Sequence, residues 1–296
     1  MGRNNIKILK AGDTDFPDIL TKITDPVEQL FCIGDISLLS KLSMAVVGSR
    51  KCSQYGKQSA FNIGEALALN NAVTISGMAI GVDSMAHLGA LKKGGGTIAV
   101  LGCGVDVCYP KKNKSLYDEI CEKGLVISEY APGIPPAPWR FPMRNRIIAA
   151  IASSVAVIEA GEKSGAAITA LRAAEIGTDV FALPGNITSL YSVGTNRLIR
   201  DGARIITSVD DLMIEAGIFS DKKTVEMNSL EIEDLLGTEE KQVYEAISRQ
   251  EGITVSALCD QLRKSSSAVN GIITVLELKG MIYYELGKIF IAKIKK

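Results

Sequence analysis

Histidine is almost absent from this chain of 296 residues: His87 is the only one, beside six scattered cysteines that form no CxxC pair. Protein zinc sites draw on clustered Cys and His, so a metal site is not expected. A Ser-His-Asp triad would have to use His87, and no GxSxG turn accompanies it. Neither a GxGxxG turn nor a GxxxxGK[ST] loop occurs, so dinucleotide and P-loop ATP binding are both set aside and no cofactor is expected. No apolar run reaches the roughly 20 residues of a membrane helix. The start, "MGRNNIKILKAGD", has no apolar leader, and position 6 is Ile rather than the Ser or Thr of a myristoylation signal. Charge of one sign is lacking too, with 33 cations against 33 acids. The expectation is a cytoplasmic protein without membrane contact, its cysteines reduced and mostly in the core.

What is present is a repeated strand–helix alternation over residues 41–212. Short apolar runs, "MAVVG", "AVTISG", "TIAVLG", "LVISE", "VAVIEA", "DVFALPG" and "ARIIT", alternate with helical stretches such as "GKQSAFNIGEALALNN" and "SGAAITALRAAEIG". In the latter, Ile168 and Leu171 fall at helical spacing. Continuous apolar strands suit a parallel sheet covered on both faces, so an α/β, Rossmann-like, doubly wound fold is expected. Residues 1–40 carry Pro17 and Pro26 and read as an extended arm packing on that core. Residues 213–237 hold six acids against two lysines and read as an acidic linker. Residues 238–296 show three helical patterns, with Val269, Ile273 and Leu276 on one face of the third. "MIYYELGKIFIA" then alternates like a hairpin, so this is the order of a small winged-helix domain.

In doubly wound sheets ligands bind beyond the carboxyl ends of the strands. Here those ends are rich in glycine: Gly48-Ser49-Arg50, Ser76-Gly77, Gly102-Cys103-Gly104, Pro184-Gly185. In "VVGSRKCSQYG" Arg50 stands where a diphosphate would need a small residue, and its planar fork suits a phosphate clamp. In "TISGMAIGVDSMAHLGAL", Gly77 and Gly81 would turn backbone amides toward a ligand, with Asp83 as a helix cap and His87 packed in the helix. "EAGEKSGAAITALRAAE" puts Lys163, Ser164 and Gly165 at an anion-attracting helix start. In "APGIPPAPWRFPMRNR" a proline-rich loop presents Trp139, Arg140 and Phe141, and Arg144, Asn145 and Arg146 start a helix. Guanidinium groups and rings beside a glycine-edged cleft suit single-stranded nucleic acid. The structural alternative for an arginine here is to bond strand-end carbonyls or to pair with Glu129 or Glu159. At least one of Arg144 and Arg146 is expected to do so.

Taken in order, the phrases "VVGSR", "SGMAIGVDSMAH", "TIAVLGCGVDVCYP", "ISEY", "FPMRNRIIA", "VIEAGEKSGAAITA", "VFALPG" and "GTNRLIRDGA" resemble DprA/Smf, the DNA-processing protein A family, along almost the whole chain. The resemblance implies an extended Rossmann-like domain that binds single-stranded DNA, protects incoming strands during natural transformation and helps load a RecA-type recombinase. It implies homodimers through the sheet domain, no turnover, and DNA-backbone contacts from Arg50 and the "FPMRNR" arginines. Many relatives carry a helical domain before the arm; this chain is expected to start too late for one. The competing reading is a nucleoside-monophosphate phosphoribohydrolase sharing this Rossmann variant, but its PGGxGTxxE-like loop is replaced by "GEKSGAAITALRAAE", which leaves Glu175 at the far end of a helix. A duplex-DNA regulator acting through Ser265, Ser266, Ser267 and Asn270 is the third.

Overall fold

A computed structural model describes residues 6–162, 164–218, 236–248, 250, 252–279, 281–285 and 287–291. The chain divides into two compact units, residues 1–219 and 220–296. The first is built on one nine-stranded sheet. Its strands are β1 (Lys7–Lys10), β2 (Gln29–Gly34), β3 (Ser43–Val47), β4 (Val73–Ser76), β5 (Thr97–Val100), β6 (Leu125–Ser128), β7 (Ser154–Val157), β8 (Asp179–Ala182) and β9 (Arg204–Ile205). Their order across the sheet is β1-β2-β6-β5-β4-β3-β7-β8-β9. From β6 to β9 all pairs are parallel, and β2 and β1 are added antiparallel at the β6 edge. The order steps outward from β3 to one side and from β7 to the other, so the switch point of the fold lies between β3 and β7.

The apolar runs become interior strands because both faces are covered. Every residue of β3, β4, β5, β6 and β7 is buried. Ala45, Val47, Val155 and Val157 face one core, while Met44, Val46 and Ala156 face the other. On the first face lie α4 (Arg140–Ile151) and α5 (Gly165–Glu175); on the second, α1 (Gln54–Leu69), α2 (Val82–Lys92) and α7 (Val209–Glu215). α3 (Lys114–Lys123) covers a neighbouring cluster through Leu116, Tyr117 and Ile120, and α6 (Val193–Arg200) follows β8. α1 and α2 pack closely enough that a Cβ on Gly64 or Gly89 would meet the partner helix's backbone carbonyls. None of the described helices is long and apolar enough to cross a membrane. All six cysteines are free, and burial pushes the Cys32 thiol up to about 12.

The arm is more than a cover. It supplies two strands of the sheet and buries Phe16, Leu20, Ile23 and Leu30 in the α4–α5 core. Each such side chain contributes about 1.5–3 kcal/mol when fully removed from water. At the other end, the boundary expected at residue 212 falls inside α7. Leu212, Met213 and Ile218 belong to the same core as Phe181 and Leu183, so the sheet unit runs on past it. Most of the acidic stretch, residues 219–235, lies outside the described residues. The apolar spacing in α5 also reads differently once folded. Its sheet face is Ala166, Thr169, Ala170 and Ala173, while Ile168 and Leu171 are exposed. Small residues let this helix lie close to β7 and β8.

The second unit contains α8 (Thr238–Ser248), α9 (Val255–Leu262), α10 (Ser266–Leu278) and a hairpin of β10 (Ile282–Glu285) and β11 (Lys288–Ile291). Val269, Ile273 and Leu276 share its core with Val243, Ile247, Leu258 and Ile289. An isolated bridge joins Ile253 to Ile289.

Candidate functional site

The fold leaves a cleft of about 550 Å³ at the carboxyl ends of the strands, against β3 and the segment after β7. Its wall includes Gly48, Ser49 and Arg50 after β3, Gly161, and Ser164 to Ala166 after β7. Asp83 comes from the first turn of α2, and Phe141, Pro142, Arg144 and Asn145 come from α4. The first turns of α2, α4 and α5 therefore border one space. Each helix start carries roughly half a positive charge from its aligned peptides.

Close approach explains the small residues. A Cβ on Gly48 would lie 2.6 Å from a Val82 methyl, and one on Gly81 would lie 2.5 Å from the Ser49 carbonyl. The Val82 amide donates to that same carbonyl at 3.3 Å, and the Ser49 amide donates to the Glu159 carbonyl at 2.8 Å. The loops after β3, β4 and β7 are thus tied to one another. Glu159, itself buried, accepts from the Ser53 amide at 2.8 Å and from the Ser53 hydroxyl, fixing the start of α1.

The arginines of "RFPMRNR" divide their roles. α4 begins at Arg140, four residues before the expected start, because Pro142 in its first turn removes an amide that would have no helical partner. Arg144 is buried. Its Nη1 donates to the Gly77 carbonyl at 3.0 Å and to the Val100 carbonyl, closing the ends of β4 and β5, and its Nε donates to Asn145 Oδ1 at 3.1 Å. Burial lowers its pKa to about 10, opposed by the nearby Asp83 carboxylate, so it stays charged at neutral pH. Gly77 is required by this plug: a Cβ there would fall on the Arg144 guanidinium and lie 2.9 Å from Asp83 Oδ2. Asp83 accepts from the Gly77 and Ala79 amides at 3.2 and 3.3 Å, and burial raises its pKa against the pull of Arg144. It sits in the first turn of α2, with Gly81 at the cap position expected of it. Arg146 binds both Glu129 oxygens, at 2.8 and 2.7 Å, and donates to the Asp25 carbonyl at 2.9 Å, joining α4 to β6 and the arm.

Both Arg144 and Arg146 therefore turn inward, one to strand-end carbonyls and one to Glu129. At least one of them was expected to bond strand-end carbonyls or to pair with Glu129, and both do so, with protein acceptors on their forks. Arg50 and Arg140 behave otherwise. Arg50 is exposed, with its guanidinium 5.2 Å from the Phe141 ring centre. Phe141 stacks in turn on Tyr109, at 5.4 Å and 27°. Arg140 lies over Trp139 and Tyr130 at 5.0 and 4.9 Å and donates to the Pro135 carbonyl. Asn145 reaches across to the Gly165 carbonyl at 3.2 Å, linking α4 to α5. Ser164 caps α5 through the Ala166 amide at 3.2 Å. Lys163 lies outside the described residues.

Three participants were not read from the sequence as site residues. Tyr109 backs Phe141, Tyr130 backs Arg140, and Ala79 lines the cleft. Tyr130 follows the end of β6 by two residues, and that position was the available signal; Tyr109, nine residues past β5, offered none. His87 is fully buried with Nδ1 2.6 Å from the Thr97 hydroxyl, and burial lowers its pKa to about 3. Among the described residues no group of three or more His, Cys, Asp and Glu could hold a metal ion.

Known proteins are similar to this chain in sequence and fold. The family model for DNA recombination-mediator protein A matches residues 7–217. The DNA processing protein DprA of Streptococcus pneumoniae is 47% identical over 203 residues, covering 69% of this chain and 72% of that protein. The X-ray structure of DprA from S. pneumoniae superposes with a TM-score of 0.68, at 45% identity over 72% of this chain and 75% of that one. DprA from Helicobacter pylori, whose structure was described for its single-stranded DNA binding mode, gives a TM-score of 0.66 at 32% identity, covering 72% of this chain and 96% of that one.

Proposed function

Since the chain belongs to the DNA recombination-mediator protein A family, we propose that its cleft seats single-stranded DNA by the phosphate backbone and breaks no bond in it. The observation that carries this reading is Arg50: an exposed guanidinium on the rim of the cleft, stacked on Phe141, beside three helix starts. Gly48, Ser49 and Gly165 let the strand approach the backbone, and Arg140 and Phe141 offer it charge and a ring. Gly77, Arg144, Asn145 and Arg146 hold the loops in place. Lys163 is carried with the site as an expectation from sequence.

The strand so held is shielded from nucleases and handed to a RecA-type recombinase during natural transformation, in the cytoplasm, by a homodimer formed through the sheet unit. The C-terminal unit acts as a winged helix. The DNA-binding mode described for the H. pylori relative supports the first step. The phosphoribohydrolase reading finds no support in the carboxylates. Glu175 pairs with Arg172 at the end of α5, Glu159 is held by Ser53, and Asp83 lies beside Arg144. Competition of unlabelled oligothymidine against duplex of equal length for a labelled single strand tests the proposal. Displacement by oligothymidine at concentrations where duplex fails is expected; equal displacement would refute it.

A further inference from the structure

The chain has one tryptophan, and it is 60% exposed at the start of α4. Trp139 and Phe141 are two residues apart, which turns their side chains by about 200° around the helix. Phe141 looks into the cleft with Arg50 and Tyr109. Trp139 stands in a second cluster, edge-on to Tyr130 at 6.4 Å and 86°, with Arg140 over both rings. Arg140 is fixed by its bond to the Pro135 carbonyl in the proline-rich loop, and no carboxylate pairs with it among the described residues. Arg140 lies over the indole, and Trp139 still leaves 60% of its surface exposed. A fixed cation beside an open ring is the combination that holds a base by stacking and its phosphate by charge.

Resting on the single-strand reading above, the geometry points to a second base-stacking platform at Trp139, Arg140 and Tyr130, where an unpaired base next to the nucleotides in the cleft stacks on the indole. Every base has a π-face, so the platform extends the footprint without adding sequence preference.

Because Trp139 is the only indole, its fluorescence reports the contact directly. Full-length protein is titrated with oligothymidine and, separately, with an abasic oligodeoxyribose phosphate of equal length. Quenching by the first but not the second is expected. Trp139→Ala should weaken oligothymidine binding roughly 5- to 150-fold, as loss of one stacked base does. Its log K against log salt slope should stay unchanged, since no charge is removed. Trp139→Phe, which keeps a ring, should restore most of the affinity. Oligothymidine binding with a normal salt slope but no quenching and no effect of Trp139→Ala overturns the platform and leaves the cleft reading standing. Equal quenching by the abasic strand also overturns it. No binding of either strand overturns both.

Discussion

Arg50→Ala separates binding from folding because Arg50 supports little of the fold. It is exposed, and its contact is the Phe141 ring at 5.2 Å. An exposed cation–π contact is worth about 0.5–1 kcal/mol. In a unit of this size that is a shift in melting temperature of about 2–4 °C at most. Binding should change far more. A hydrogen bond to a charged group contributes about 1.5–3 kcal/mol, so losing one phosphate contact weakens binding roughly 10- to 150-fold. The same contact releases condensed counterions from the strand. Without it the slope of log K against log salt should flatten by about 0.7. The assay is fluorescence anisotropy of a labelled oligothymidine between about 50 and 200 mM salt, with a thermal melt of the same protein. The loss should match for oligothymidine and for mixed sequence, because phosphate contacts carry no base information. A variant that melts normally and keeps both slope and affinity would remove Arg50 from the site, and the observation carrying the proposed function would go with it.

Gly77→Ala should destabilise the protein by about 1–3 kcal/mol, as overpacking does, and should weaken DNA binding by displacing Arg144; a thermal melt and an anisotropy titration check both. Arg146→Ala breaks the paired fork on Glu129, whose side chains are 9% and 18% exposed, and should cost about 3 kcal/mol in urea unfolding with no change in the salt slope. Burial holds the His87 pKa near 3, below its ordinary 6.5, so between those values the unfolded chain binds the extra proton and stability falls as pH drops. From pH 7 to 5.5 this single group should contribute a loss of about 1.2 kcal/mol, absent in His87→Asn; equal pH dependence of the two proteins would contradict the assignment. Incubation with AMP should release no adenine; turnover abolished by Glu159→Gln would restore the phosphoribohydrolase reading.

Much of this was legible in the sequence, for physical reasons. The buried parallel strands announced themselves because a strand covered on both faces must be apolar throughout, and "MAVVG" to "VAVIEA" became β3 to β7. Glycines at strand ends marked the cleft because only a missing Cβ allows the contacts of Gly48 and Gly81. The direction of each arginine was harder to read. Arg140, Arg144 and Arg146 belong to one helix, and spacing alone does not say which fork meets a carbonyl, a carboxylate or water. The helix start was missed because Pro142 looks like a breaker and is tolerated in a first turn. β1 and β2 were hidden because they mix exposed with buried positions, and β1, at the sheet edge, has only four residues. In α5 the spacing of Ile168 and Leu171 drew attention from the alanine face that packs.

On the proposed reading, a chain without net charge meets a polyanion through where its charges sit. Arg144 and Arg146 bring two charges to the site, but Asp83 and Glu129 lie beside them and draw them inward. What remains for a ligand is Arg50, Arg140 and the positive ends of α2, α4 and α5. Helix starts and glycine amides hold phosphate without selecting a base, and rings stack on any base. A site of this make-up has reason to be strongly salt-dependent and nearly indifferent to sequence. The buried pairs still matter, since they fix the ends of β4, β5 and β6 against α4, which lines the same cleft. Neutralising a buried arginine should therefore damage binding through the fold, whereas removing Arg50 should damage it through the field alone. The salt slope distinguishes the two, because only the second changes the number of counterions released.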